Sequence, residues 1–158
     1  MSTLEVKAIQ APTGYNLAMP AGHILQVVNF VNTSMPNTTS TSYVDMGLQA
    51  SITPSSTSNK ILVVANINVG VYGTSHLAYP TFQIVRDSTA LSNTSRDATG
   101  RADSVGNFQY TSDFGWSYLD SPSTTSSITY KTQMKNHSSY GGTLYVSKCD
   151  ITLMEVQG

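Results

Sequence analysis

Lys60-Ile61-Leu62-Val63-Val64-Ala65-Asn66-Ile67-Asn68-Val69-Gly70-Val71-Tyr72 is the stretch on which the fold turns. Ile61, Val63, Ala65, Ile67, Val69 and Val71 recur at a period of two, so they share one face of an extended strand. A helix would need apolar residues at i, i+3, i+4 and i+7, and no window of the chain offers that spacing free of Gly, Pro or β-branched runs. The opposite face carries Lys60, Leu62, Val64, Asn66, Asn68, Gly70 and Tyr72, which makes the first half apolar on both sides. One face of a strand in a small sandwich normally meets water. The segment Lys60 to Val64 therefore calls for a second covering layer, and a neighbouring subunit would supply it.

Read outward from this strand, the same alternation recurs in short blocks. Ile24 to Val31, Ser42 to Ile52, Tyr79 to Arg86, Phe108 to Leu119, Ser126 to Asn136, Gly142 to Ser147 and Asp150 to Val156 are further strand candidates. Turn-forming residues separate them at Met35 to Thr41, Pro54 to Asn59, Asp120 to Thr125 and Asn136 to Gly142. The pattern predicts an all-β fold, an antiparallel β-sandwich or jelly roll of about eight strands. Residues 1–22 read as an extended N-terminal arm and residues 23–158 as the sandwich domain. Thr3 to Ile9 has the pattern of a short strand, and breaks follow at Pro12 and Pro20. Leu4, Val6, Ala8 and Ile9 cannot be buried by the arm alone, so they are the candidate contacts to a partner or a sister subunit.

Composition narrows the function. Ser and Thr supply 42 of the 158 residues, charged residues are 11%, and Tyr occurs nine times, which is not the profile of a disordered chain. A net charge of −1 gives no electrostatic reason to bind nucleic acid or an acidic membrane surface. No apolar run approaches the length of a membrane-spanning helix. Met1 to Gln10 contains Glu5 and Lys7 and lacks a signal-peptide core, so the expected site of synthesis is a cytoplasm. The single Cys149 has no partner for an internal disulfide and reads as a small buried hydrophobe.

Catalytic patterns are sparse. His23, His76 and His137 show no metal-ligand spacing to one another or to Cys149. Glu5 and Glu155 stand at opposite ends of the chain, while Asp97, Asp103 and Asp113 read as turn-forming residues of one loop region. No phosphate-binding glycine string or serine nucleophile elbow occurs. The expectation is a chain with no enzymatic activity, no catalytic residue, no metal and no cofactor. The polar stretch Ser88 to Thr111 follows Arg86 and holds Arg96 and Arg101, which complete the arginines of the protein. Arg96, Arg101 and Asp103 form a candidate ligand loop, since a guanidinium fork suits a carboxylate or a sugar. The alternative is that Arg and Asp pair with one another there. Phe108, Tyr110, Phe114, Trp116 and Tyr118 alternate and read as core packing on one strand face.

Several segments, in chain order, resemble a group of bacteriophage virion proteins from phages of aquatic bacteria, of the tail-fibre-like or capsid-decoration type. They are Ala21-Gly22-His23-Ile24-Leu25-Gln26-Val27-Val28, Thr41-Ser42-Tyr43-Val44-Asp45, Ile52-Thr53-Pro54-Ser55-Ser56-Thr57-Ser58-Asn59-Lys60, Leu119-Asp120-Ser121-Pro122 and the terminal Ile151-Thr152-Leu153-Met154-Glu155-Val156. The resemblance spans about residues 21 to 156. It implies a β-sandwich carried on a virion, commonly as a homotrimer and made in a bacterial host. It implies two candidate partners, the major capsid protein or another virion protein, and a host surface glycan. The short connection read between Gly142 and Ile151, where relatives carry a longer loop, favours a head decoration or cement protein over a fibre adhesin.

Overall fold

The computed structural model describes residues 21–34, 36–73, 80–95, 108–137 and 142–158. Nine strands run in chain order: β1 Ile24–Asn32, β2 Asn37–Thr38, β3 Val44–Ile52, β4 Lys60–Gly73, β5 Pro80–Arg86, β6 Thr89–Ser95, β7 Phe108–Asp120, β8 Ile128–Asn136 and β9 Thr143–Val156. They form two antiparallel sheets. One has the order β1-β9-β4-β7, with β2 also pairing β9, and the other has the order β3-β8-β5-β6. The pairs nest: β1 with β9, β3 with β8, β4 with β7, β5 with β6. That nesting is the winding of a jelly roll, so the all-β sandwich read from the alternation is the fold observed.

The inner faces close on each other through the residues that the period of two selects. Ile61, Val63, Ala65, Ile67, Val69 and Val71 of β4 are all buried, as are Leu144, Val146, Cys149, Ile151 and Leu153 of β9. From the other sheet come Met46, Leu48, Phe82, Ile84, Tyr130 and Met134. Burying each large side chain contributes at most about 1.5–3 kcal/mol. Phe114, Trp116 and Tyr118 of β7 pack inward as expected. The Phe82 ring lies 5.5 Å from that of Phe114 and 5.7 Å from that of Trp116.

Three sequence readings need correction. Gly142 to Ser147 and Asp150 to Val156 are one strand, β9, and no connection interrupts it. The register with β4 shifts between Asn68 and Val69, and Ser147 is the extra residue of this bulge. The bulge resets the phase, so Leu144 and Val146 face the same core as Cys149 and Ile151 despite their odd spacing. The short loop that favoured a head protein is therefore absent. Next, the polar stretch after Arg86 begins with a strand. A two-residue loop, Asp87-Ser88, turns β5 into β6, with Asp87 at φ 51°. Finally, Asp113 lies within β7, so it does not belong to a loop.

Candidate functional site

The outer face of the five-stranded sheet is assembled by register. Val27, Met154, Leu62 and Leu119 are cross-strand neighbours in a row from β1 to β7. Val27 and Leu119, at the ends of the row, are 57% and 50% exposed, and the two between them are half-buried. The next row is Asn29, Thr152, Val64 and Ser117, where the Asn29 amide donates to Thr152 Oγ1 at 2.9 Å. Farther along, the face turns polar. Asn66 donates to Asp150 Oδ2 at 3.1 Å, Asn68 donates to Asp113 Oδ1 at 2.7 Å, and the Ser147 hydroxyl donates to Asn68. Asn66, Asn68, Asp113 and Asp150, with Lys148 and the bare backbone of Gly115, line a shallow depression.

β1 borders this face, and its second edge has no partner strand among the described residues. Its sequence, Ile24-Leu25-Gln26-Val27-Val28-Asn29-Phe30-Val31-Asn32, holds no charged residue. Ile24, Leu25, Val27, Phe30 and Val31 are all exposed. Sequence reasoning placed the contact surface elsewhere, on the arm. The signal was nonetheless present in β1: apolar residues at 24, 25, 27, 28, 30 and 31 leave neither face reserved for water.

Beneath the row Val27–Leu119 the core ends in two carboxylates that flank Ile61 across the strands, Glu155 on one side and Asp120 on the other. Glu155 is 1% exposed. Its Oε1 accepts from the Ser55 amide at 2.6 Å, the Ser55 hydroxyl at 2.8 Å and Asn59 Nδ2 at 2.6 Å. Its Oε2 accepts from Gln26 Nε2 at 2.5 Å. Burial alone pushes the carboxyl up, but the hydrogen bonds from Asn59, Gln26 and Ser55 outweigh it and hold Glu155 below the usual range. Asp120 Oδ2 accepts from Arg86 Nη1 and from the Tyr130 hydroxyl, each at 2.6 Å. Burial, followed by the hydrogen bond to Asp120 and then its charge, raises the Tyr130 phenol. Both carboxylates are buried and tie strands together.

The outer face of the four-stranded sheet is finished differently. Asp45 accepts from Lys131 Nζ at 2.9 Å and from Gln133 Nε2 at 2.6 Å, and Gln83 donates to Gln133. Lys135 lies 4.7 Å from the centre of the Tyr43 ring. Cys149 is buried in the core, and its thiol is pushed up to about 11 by burial and then by Asp150. Such a thiol is a packing group and a poor nucleophile at neutral pH.

Leu4, Val6, Ala8 and Ile9, and likewise Arg96, Arg101 and Asp103, lie outside the described residues. The remaining arginine, Arg86, is turned inward to Asp120, so it is not a ligand-loop residue. Among the described residues no group of three His, Cys, Asp or Glu side chains could hold a metal ion. No protein-family model matches the sequence, and no curated protein matches it significantly.

Proposed function

We propose that this chain is a non-catalytic structural subunit of a bacteriophage particle, a homotrimeric cement or decoration protein that stabilises the head. One observation carries the subunit role. The outer face of the five-stranded sheet carries the exposed Val27 and Leu119, with the half-buried Met154 and Leu62 between them, opposite an already complete core. A contiguous exposed apolar patch on a small domain marks a surface that another body covers. The phage assignment rests on the segments that resemble virion proteins. The jelly roll is compatible with it, since capsid and lectin domains share that architecture, but a fold alone does not assign a function. In this reading Leu4, Val6, Ala8 and Ile9 contact the major capsid protein or another virion protein.

A second reading, a tail-fibre or spike adhesin for a host surface glycan, is favoured by one feature. The depression lined by Asn66, Asn68, Asp113, Lys148 and Asp150 offers amide and carboxylate groups suited to sugar hydroxyls. Imaging of the intact phage with a label on this chain decides between the two. Many copies distributed over the head are expected. A few copies confined to the tail would overturn the decoration role and leave the adhesin.

A further inference from the structure

We infer that the polar end of the five-stranded sheet is a site for an uncharged sugar, with Tyr145 as a stacking platform beside the depression of Asn66, Asn68, Asp113, Lys148 and Asp150. This rests on the second reading above, names the class of glycan and adds Tyr145 to the site. Two glycines point to it. Glycine inside a strand weakens it and marks a bulge, a bend or a close approach. Gly70 of β4 and Gly115 of β7 lie in a pairing whose register is unbroken from Ile61–Asp120 to Gly73–Phe108, and neither has a positive φ. The β4–β9 bulge puts its extra residue on β9. Close approach remains. A Cβ on Gly70 would run into the Tyr145 ring, nearest to Cζ and then to Oη and Cε1. Approach to Cζ within the ring plane is blocked by its own hydroxyl oxygen, so the ring lies face down on Gly70. Its other face is turned away from the sheet, and Tyr145 is only half-buried. A Cβ on Gly115 would lie 3.1 Å from Asn66 Oδ1, so its absence makes room for the amide that holds Asp150.

Chemistry identifies the ligand. The row Tyr145–Gly70–Thr111 adjoins the row Lys148–Asn68–Asp113 on the same face. The rows are about 7 Å apart, within reach of one sugar residue and its substituents. A sugar ring has a face of polarised C–H bonds, which suits the negative face of an aromatic ring. Its rim of hydroxyls both donates and accepts. The depression answers both needs. Asn66 and Asn68 each engage one oxygen of Asp150 and Asp113, which fixes the carboxylates and leaves their second oxygens to accept. Lys148 is exposed, makes no ion pair among the described residues and is left to donate. Groups held in place before binding lose less entropy when a ligand arrives. Two carboxylates against one ammonium repel an acidic sugar. The ammonium opposes a metal ion, and among the described residues no three ligating side chains gather here. An aromatic ring laid over a glycine also steadies a sheet, but that role needs no open carboxylates one row away.

The test is saturation-transfer NMR on the full chain with millimolar methyl glucoside, methyl galactoside, methyl mannoside, N-acetylglucosamine and glucuronic acid. Transfer to at least one neutral sugar is expected, and none to glucuronic acid. Asp113→Ala and Gly115→Thr, both at exposed positions, should each weaken binding about tenfold. Gly115→Thr should melt at or above the wild-type temperature, because a β-branched residue suits a strand while its side chain fills the depression. That split between binding and stability would not arise from a merely structural glycine. Tyr145→Phe should bind as the wild type does, and Tyr145→Ala should lose binding. Lys131→Ala, on the other sheet, should change nothing. A neutral sugar held equally by the wild type, Asp113→Ala and Gly115→Thr would overturn this site and leave the glycan reading intact. Preference for glucuronic acid would overturn the uncharged class. Transfer to none of the five sugars would overturn the inference, and the adhesin reading would then rest on the imaging alone.

Discussion

β1 and β3 each lie at one edge of their sheets, each is nine residues long, and they are finished in opposite ways. β3 alternates cleanly. Met46, Leu48, Ala50 and Ile52 are buried, while Asp45, Gly47, Gln49 and Ser51 face out. It carries a charge at Asp45 and a bulge between Asp45 and Gln49. Both devices discourage another strand from pairing with it. β1 has neither a charge nor a central bulge, and it shows apolar side chains on both faces. The contrast teaches that apolar exposure on β1 is not a general property of this Ser/Thr-rich chain. One edge is built for water and the other for a partner.

The largest expected effect lies where the two edges are tied together. Gln26 of β1 donates both to Glu155 and to the Thr53 carbonyl just after β3, and Ser55 and Asn59 of the same turn donate to Glu155. Glu155→Ala leaves the buried Asn59 amide, and the Gln26 and Ser55 donors beside it, without their shared acceptor, and the summed loss should be about 3–5 kcal/mol in a denaturant titration. The acid side sharpens the point. The folded-state value of Glu155 lies below its unfolded value, so its contribution is complete above the unfolded value of about 4.3 and is lost as pH falls through the folded one. Melting curves from pH 7 down to 3 should show a steep loss in the wild type. Glu155→Gln should show a shallower one from a lower starting stability. Equal slopes would mean that Glu155 is not the controlling carboxylate.

The middle effect belongs to the β3 bulge. Gly47 has φ +69°, and a Cβ there would lie 2.9 Å from Asn32 Nδ2, the group that donates to the Met46 carbonyl. Gly47→Ala therefore adds a left-handed backbone penalty and crowds a buried amide. A loss of roughly 1–3 kcal/mol is expected from thermal melts. An unchanged melting temperature would show that the bulge relaxes freely and does little to fix the edge.

The alternation of β4 and the polar turn Pro54 to Asn59 were legible in the sequence because a buried face and a turn each leave a local signature. β6 was not. Thr89-Ala90-Leu91-Ser92-Asn93-Thr94-Ser95 is a polar edge strand held by its hairpin with β5, and nothing apolar repeats in it. β9 was half legible, because the bulge at Ser147 breaks the period while the strand continues. Glu155 looked like an isolated carboxylate, since its donors are 96 to 129 positions away in the chain. The uncharged run of β1 could be read as a strand, yet its lack of a polar face gains meaning only once the topology places it at an edge.

The smallest expected effect is on the β3 side, at Asp45. Its carboxylate meets Lys131 at 2.9 Å, but its side chain is 56% exposed, so solvent and salt screen the pair. Burial pushes its carboxyl up, but hydrogen bonds from Gln133 and Lys131, with the Lys131 charge, together bring it below the usual range. Exposed pairs of this kind are worth about 0.2–1 kcal/mol and often nothing measurable. Asp45→Asn keeps the acceptor for Gln133 and removes only the charge, so it should cost under about 0.5 kcal/mol, and less again in 1 M salt. Its larger consequence should be colloidal. Without its only charge, β3 comes to resemble β1, and concentration-dependent light scattering should show weak self-association at low salt. If Asp45→Asn matches the wild type at every concentration, the charge is not what guards β3, and the bulge at Gly47 alone separates the two edges.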